Sequence, residues 1–483
     1  MTDHIATRMA APVATRAASQ VSVPAGALPL PVKLYIIMFM LPVTFYLGPL
    51  YMTNLRLLLV IMVVPLTVQL FTGKFGRILW TDILFFAHMA WAGLTLAINN
   101  PSMVITQMGS IGPEFLGGYL IGRAYIRDKA SFIALAKWLV VAVILTLPAA
   151  MYETKTGTPI VLQILGKLPG FGSFPFVTYE TRMGLERVQG MLTHPIHYGL
   201  FASMMMSMAL VALKDVVSNT RRLIYAFLVA FATFLSLSSG AILPIIAQLF
   251  FIGWARAFDR TGRPWLILTA LVALAYVTID ALSNRTPIQV FFSYATFSPH
   301  NASIRQIIFD WGMVNVWMSP IIGIGMADWV RPAWMQASSV DNFWLLMAMR
   351  YGIPAFLLIA AGYFLAMWKI GRRDLGDDRM LNQLRRAWMF TFLCMSFTLA
   401  TVHVWTNIYS FVFMVFGAGM WLAEARPDVD RTAPGPDPVA PRGGPVYSRV
   451  QAGPAAEPAP DTPAPDREGP RYTRFDQPVV RRR

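Results

Sequence analysis

The feature that most constrains this chain is a succession of about twelve apolar runs, each near the length that crosses a bilayer as a helix. They fall roughly at residues 34–51, 55–72, 79–98, 103–122, 131–151, 195–213, 223–239, 240–257, 265–282, 352–369, 386–403 and 407–424. The runs are continuously apolar. They do not alternate over about ten residues as barrel strands do, so they predict helices. Composition agrees, because the 483 residues are 56% hydrophobic and only 13% charged, with a mean hydropathy of +0.52. A water-soluble chain of this length is far more polar. The expected fold class is an all-α polytopic membrane protein.

Orientation follows from the basic residues, which gather in every second connection: Lys74 and Arg77; Arg123, Arg127 and Lys129; Lys214, Arg221 and Arg222; Arg256, Arg260 and Arg263; then Lys369 through Arg386. Such connections stay in the cytoplasm. The same rule puts both chain ends inside, with Arg8, Arg16 and Lys33 in the first segment. Two long connections, 152–194 and 283–351, then fall on the outer face, each expected to hold short amphipathic helices. They break the charge rule by carrying Arg182, Arg187, Arg285, Arg305, Arg331 and Arg350. Arginines on that face need another reason.

The formal charge of +15 suits a nucleic-acid partner in principle, but the topology-setting loops hold most of it, so no nucleic-acid partner is expected. No continuous apolar stretch precedes Leu34, so the first span is expected to serve for targeting and no cleaved signal is expected. The lone Cys394 excludes an intrachain disulfide and a cysteine-based metal site. Three regions are expected. Residues 1–33 form a cytoplasmic segment without fixed order, 34–424 the transmembrane catalytic domain, and 425–483 a disordered Pro/Ala/Arg-rich cytoplasmic tail. The closing Arg481–Arg483 either touch anionic headgroups or are simply solvated.

Chemistry has to come from polar groups on the outer face, where three clusters stand out. The first is E-R-V-Q-G-M-L-T-H-P-I-H-Y at 186–198. Pro195 suits the first turn of a helix, with His194 or Thr193 near its cap, which leaves amide donors facing an anion. Arg187 can join them on a phosphate, or it can merely pair with Glu186 or Glu180 to hold the loop. His194 and His197, three apart, suit hydrogen bonding better than a metal pair, because no third ligand is near. The second cluster, S-P-H-N-A-S-I-R-Q-I-I-F-D-W at 298–311, sets Arg305 on an amphipathic helix whose apolar side is Ile304, Ile307, Ile308 and Trp311. Its structural alternative is a surface pair with Asp310 or a headgroup contact. Third come the Pro- and Gly-punctuated loop at 318–326 and S-S-V-D-N-F-W-L-L-M-A-M-R-Y-G-I-P at 338–354. Asp341 can act there as a general base on a sugar hydroxyl or as an ordinary helix cap. Glu114, in G-P-E-F-L-G-G-Y, either satisfies neighbouring helices or reaches a lipid ligand.

Taken in order, these clusters resemble the O-antigen ligase and Wzy-type polysaccharide polymerase superfamily. The resemblance rests on Arg187, Gly190, His194 and Pro195; on Arg305 ahead of Pro320, Gly323 and Gly325; and on Asp341 and Asn342 opening a helix with Tyr351 and Gly352. It covers roughly residues 35–424. It implies a GT-C-like, metal-independent glycosyltransferase without cofactor, whose donor is a saccharide on undecaprenyl diphosphate at the periplasmic face of the inner membrane. On that reading Asp341, Asn342 and His194 stand at the chemistry, Arg187, Arg305 and Arg182 on the diphosphate, and His197, His300 and Asn301 along the substrate. Ligases of the family usually have histidine where Asp341 stands, so the resemblance favours the polymerase and exopolysaccharide branch. An aspartate near its usual pKa of about 3.9 is a weaker base unless burial raises it. Arg350 departs from the glutamate frequent at its position. Transfer to lipid A core or protein is the alternative. A flippase of lipid-linked sugars is a third reading, disfavoured because Arg56, Asp82, His88, Glu114, Lys137 and Asp280 lie toward span ends or stand alone. A chain-length regulator and a flippase are the partners the family leads one to expect.

Overall fold

The computed structural model describes residues 27–48, 50–284, 290 and 299–427. These belong to a unit spanning Met1–Asp428; the second unit, Val429–Arg483, lies outside the described residues. The expected disordered tail therefore lies outside them, as does most of the expected N-terminal segment.

Helix is found in every expected run, with one correction. The run at 34–51 is not a single helix: α1 (Leu30–Met40) stops, and β1 (Thr44–Leu47) and β2 (Leu50–Thr53) pair antiparallel with Tyr46 opposite Tyr51. Pro42 is the reason for the stop, since the residue before a proline is pushed out of the α region. Gly48, at φ +60°, then lets the chain turn back. The hairpin docks through Thr44, whose N–H and carbonyl both pair with Gly172 at 2.9 and 2.7 Å.

The remaining helices are α2 (Asn54–Phe71), α3 (Trp80–Asn99), α4 (Val104–Gly112), α5 (Gly118–Tyr125), α6 (Lys129–Thr156), α7 (Ile160–Gly166), α8 (Pro195–Ser203) and α9 (Asn219–Leu235). After them come α10 (Ser239–Ala257), α11 (Pro264–Leu282), α12 (Pro299–Met318), α13 (Phe343–Gly371), α14 (Arg379–Leu399) and α15 (Asn407–Gly417). Among the described residues seven helices are long and apolar enough to cross a membrane, and Leu30–Met40 and Asn407–Ala423 are shorter apolar helices. The run at 103–122 is built from α4, a π-helical turn at Pro113–Gly117, and α5. The helix in the second long connection, α12, has 20 residues and is longer than expected. Among the described residues, none of α11 is buried against protein, leaving the exposed apolar surface of a helix that faces lipid or a partner.

The basic connections meet at one end of the bundle. Arg123 donates to the carbonyls of Phe75 and Arg77 at 3.2 and 2.9 Å, Arg127 donates to Lys74 O, and Lys129 pairs with Asp378 at 2.5 Å. At the other end of α6, Glu153 accepts from the amides of Gln189 and Gly190 at 2.8 and 3.0 Å. Lys129 and Glu153 are about 36 Å apart along α6 at the helical rise, so the 186–198 segment and the basic loops occupy opposite ends.

Small residues set the spacing at the centre. A Cβ on Gly122 would come within 2.0 Å of Met414 O, and one on Gly417 within 2.2 Å of Tyr119 O, so α5 and α15 touch backbone to backbone as small residues permit in membranes. Phe85, Phe115, Phe413, Phe416 and Tyr363 fill the space around this contact. The charges there do not stand alone, as the sequence led one to expect. Arg56 donates from Nε and Nη2 to Glu114 Oε1 at 3.1 and 2.6 Å, and Asp82 accepts from Tyr119 and lies 3.5 Å from Arg123 Nε.

Candidate functional site

The 186–198 segment is fastened before it reaches α8. Thr154 and Glu186 exchange two hydrogen bonds at 2.9 and 3.0 Å, Val188 N donates to Leu235 O, and Glu153 holds the turn at Gln189 and Gly190. Gly190 sits at φ +62°, with the Tyr198 ring only 2.9 Å from where a Cβ would be. That turn delivers His194 to the N-cap of α8, where Nδ1 accepts the Ile196 amide at 3.0 Å. A neutral His194 with Nδ1 occupied in this way carries its proton on Nε2, which leaves a donor for a ligand. Burial, with Arg187 and Arg182 nearby, lowers its pKa to about 4, so it is neutral at pH 7. His197 uses both ring nitrogens within the protein, Nδ1 with Thr193 Oγ1 at 3.0 Å and Nε2 with His403 O at 3.4 Å. Among the described residues no three His, Cys, Asp or Glu side chains gather as a metal site.

The arginines of the two long connections separate into two groups. Arg331 pairs locally with Asp328 at 2.6 Å, and Arg285 lies outside the described residues. Arg182, Arg187 and Arg305 converge. Arg187 is half-buried over the Tyr179 ring at 5.3 Å, and its Nε has no hydrogen-bond partner. Among the described residues it pairs with neither Glu186 nor Glu180, so the loop-holding alternative is not what the side chain does. Burial and the neighbouring Arg182 lower its pKa to about 10. Arg182 donates from Nη1 to Leu237 O at 2.8 Å, at the break between α9 and α10 where Leu237 adopts φ +47°. Arg305 reaches the same break, its Nη2 lying 4.0 Å from where a Cβ on Gly240 would be. Asp310 is taken by Gln306 at 2.7 Å. Burial and Arg182 lower the Arg305 pKa, and Asp341 opposes that.

Asp341 and Asn342 divide the two roles the sequence left open. Asn342 is the cap of α13, accepting from Leu345 N at 3.0 Å. Its Oδ1 is thereby committed to the helix. Asp341 is free of that duty and half-buried, and burial raises its pKa while Arg305 holds it down.

The two glycine motifs of the second and third clusters form one clamp. Within α13, Gly352 leaves the helical region at φ +82°, ψ 168°, a conformation essentially restricted to glycine. The loop at 319–326 docks onto that break: Ile324 N donates to Met349 O, Gly325 N to Arg350 O, and Ile353 N to Pro320 O, at 2.7 to 3.0 Å. Asn99 and Asn100 lock the loop from α3 and the residue after it. The clamp turns Arg350 toward the polar end.

There a cavity of about 510 Å³ is lined by His194, His197, Ser339, Asp341, Arg350, His403 and Trp405. Trp405 packs its ring 4.0 Å from that of His197 and 5.4 Å from that of His403. Arg187, Arg305 and Arg182 do not line it but act on its walls through His194 and Asp341. His300 and Asn301 stand in the first turn of α12, and their side chains are outside what is described. Sequence reasoning missed Arg350, His403 and Trp405. Arg350 carried a signal as an outer-face arginine; His403 and Trp405 sat at the end of an expected span and carried none.

The class defined so far is a polytopic helical membrane protein with a buried polar cavity and an arginine cluster at the end opposite its basic loops. Residues 224–360 match the family model for O-antigen ligase, Wzy_C, and no curated protein matches the chain. Over that stretch the chain is similar to the O-antigen ligase family. The matched stretch runs from α9 into α13, with Arg305, Asp341 and Arg350 inside it and Arg187 and His194 before it. The family indicates glycan transfer of the ligase or polymerase type, acting on lipid-linked oligosaccharide in a membrane.

Proposed function

We propose that the protein is a polysaccharide polymerase of the inner membrane, which moves a growing glycan from undecaprenyl diphosphate to a hydroxyl of a lipid-linked repeat unit at the periplasmic face. The observation that carries this reading is the convergence of Arg182, Arg187 and Arg305 beside Asp341, a half-buried carboxylate that does not cap its helix. In the reaction the acceptor oxygen attacks the anomeric carbon, the bond from that carbon to the diphosphate oxygen breaks, and the hydroxyl proton passes to Asp341. The leaving diphosphate carries the developing negative charge, which Arg187 and Arg305 stabilise and the Nε2 proton of His194 hydrogen-bonds. The polyprenyl tail stays among the lipid-facing helices while the head reaches the cavity.

The transport reading loses support because the buried charges of the helical core are paired with each other, Arg56 with Glu114 and Arg123 with Asp82. Such pairs serve packing more than a substrate path.

The test is the size distribution of lipid-linked glycans from a deletion strain complemented with wild type, Arg305→Ala or Asp341→Ala at equal protein levels. Single repeat units accumulating in the null and in both variants is the expected result. Long lipid-linked chains in the null would replace polymerase with ligase, and an unchanged pattern would overturn glycan transfer at this site. Purified Arg187→Ala and Arg305→Ala are each expected to lose about 10²–10³ in kcat, the usual loss when one preorganised donor is removed.

A further inference from the structure

We propose that a second, smaller cavity behind Arg350 is a sugar-ring subsite that holds a neutral saccharide unit of the transferred glycan or its acceptor; this rests on the glycan-transfer reading above. The cavity measures about 180 Å³ and is walled by Gln107, Ser110, Glu114, Tyr351, Thr406 and Tyr409. It shares Arg350, His403 and Trp405 with the larger cavity, so a ligand in one is continuous with a ligand in the other.

Two polar atoms around it are buried without a protein partner, which native interiors rarely tolerate. Tyr409 is 5% exposed and its hydroxyl has no hydrogen bond, and neither has His403 Nδ1. Both hydrogen bonds from Arg56 to Glu114 fall on Oε1. A ligand that is both donor and acceptor at several points satisfies such a set. An acyl or polyprenyl chain would leave both orphaned, and a second diphosphate would face the Glu114 carboxylate. A sugar ring supplies hydroxyls in several directions, and its apolar face suits the aromatic walls of Trp405 and Tyr409. Glu114 and Arg56 neutralise each other, so the wall away from Arg350 offers hydrogen bonds with little net charge. Glu114, which the sequence left between a packing role and a ligand role, pairs with Arg56 through Oε1 while it walls this cavity.

The experiment uses the purified full-length protein and the free repeat-unit oligosaccharide, released from its carrier and so lacking lipid and diphosphate, titrated by tryptophan fluorescence. Wild type is expected to bind it saturably. Tyr409→Phe, which keeps the ring and removes only the hydroxyl, and Ser110→Ala as a second variant, are expected to weaken binding about tenfold, the scale of one lost buried hydrogen bond. Both should raise KM for one of the two lipid-linked substrates more than they lower kcat. A raised KM for the polymer-bearing lipid assigns the subsite to the donor, and a raised KM for the single-unit lipid assigns it to the acceptor. Unchanged sugar affinity and KM in both variants would overturn the proposal. Arg187→Ala is expected to lower kcat by about 10²–10³ and leave binding of the free sugar intact. Because that binding requires no turnover, failure of the transfer reading and failure of the subsite register separately.

Discussion

Asp341 and Asn342 are adjacent, are chemically similar, and do different work. Either can cap a helix, and no pattern in the chain says which does. The fold decides it by giving the Leu345 amide to Asn342 and leaving Asp341 on the cavity wall. Burial lifts the Asp341 pKa above its ordinary 3.8, which answers the objection that an aspartate is too weak a base. A base acts only when ionised, so transfer activity is expected to fall as pH drops through this raised value, at a higher pH than an unshifted aspartate would give. The profile of kcat/KM against pH checks it. Asp341→Asn should lose about 10²–10⁴ in rate, and the residual activity should show no acid limb. His194, with its pKa lowered to about 4, is the other group that titrates in acid. A limb that persists in Asp341→Asn and disappears in His194→Asn would transfer the role to the histidine.

At the scale of elements, the sequence supplied a list of motifs and the fold supplied their connection. Pro320, Gly323 and Gly325 were visible as punctuation, and Tyr351 and Gly352 as the start of an apolar run, but their union as one clamp depends on backbone hydrogen bonds between segments about thirty residues apart. Helix periods were readable because apolar runs report burial or lipid directly. The hairpin at 44–53 was not, since Thr44 to Thr53 is as apolar as a helix end and its strand pairing depends on docking to Gly172. The clamp makes a definite prediction. A Cβ on Gly352 would lie 2.0 Å from Ile321 O, and one on Gly323 lies 2.4 Å from the Arg350 carbonyl. Gly352→Ala and Gly323→Ala are each expected to cost at least roughly 1–3 kcal/mol in backbone strain alone, and to displace Arg350 from the cavity. Gly48→Ala, also at positive φ but with nothing within 4 Å, should be milder and leave transfer intact. Thermal unfolding in detergent together with the transfer assay measures both effects. Equal losses in all three variants would mean that the clamp has no special part in placing Arg350.

Across the whole molecule, two sets of arginines answer to different physics. Arg123 and Arg127 lie where basic loops meet and donate to the carbonyls of Phe75, Arg77 and Lys74, in connections that the positive-inside rule expects in the cytoplasm. Arg182, Arg187, Arg305 and Arg350 gather at the far end, where that rule disfavours them, so their cost has to be offset by a ligand. The assignment of the far end to the periplasm follows from this contrast and is open to direct measurement. Cys394 is buried at 1% exposure, so the chain offers a low background for cysteine labelling. Thr178 is exposed on the first long connection and Arg260 is exposed among the basic loops. In intact spheroplasts a membrane-impermeant maleimide is expected to label Thr178→Cys and to spare Arg260→Cys until the membrane is opened. The reverse pattern would place the arginine cavity in the cytoplasm, where a periplasmic polymerase could not use it, and would overturn the assignment of reaction side even if glycan transfer itself survived.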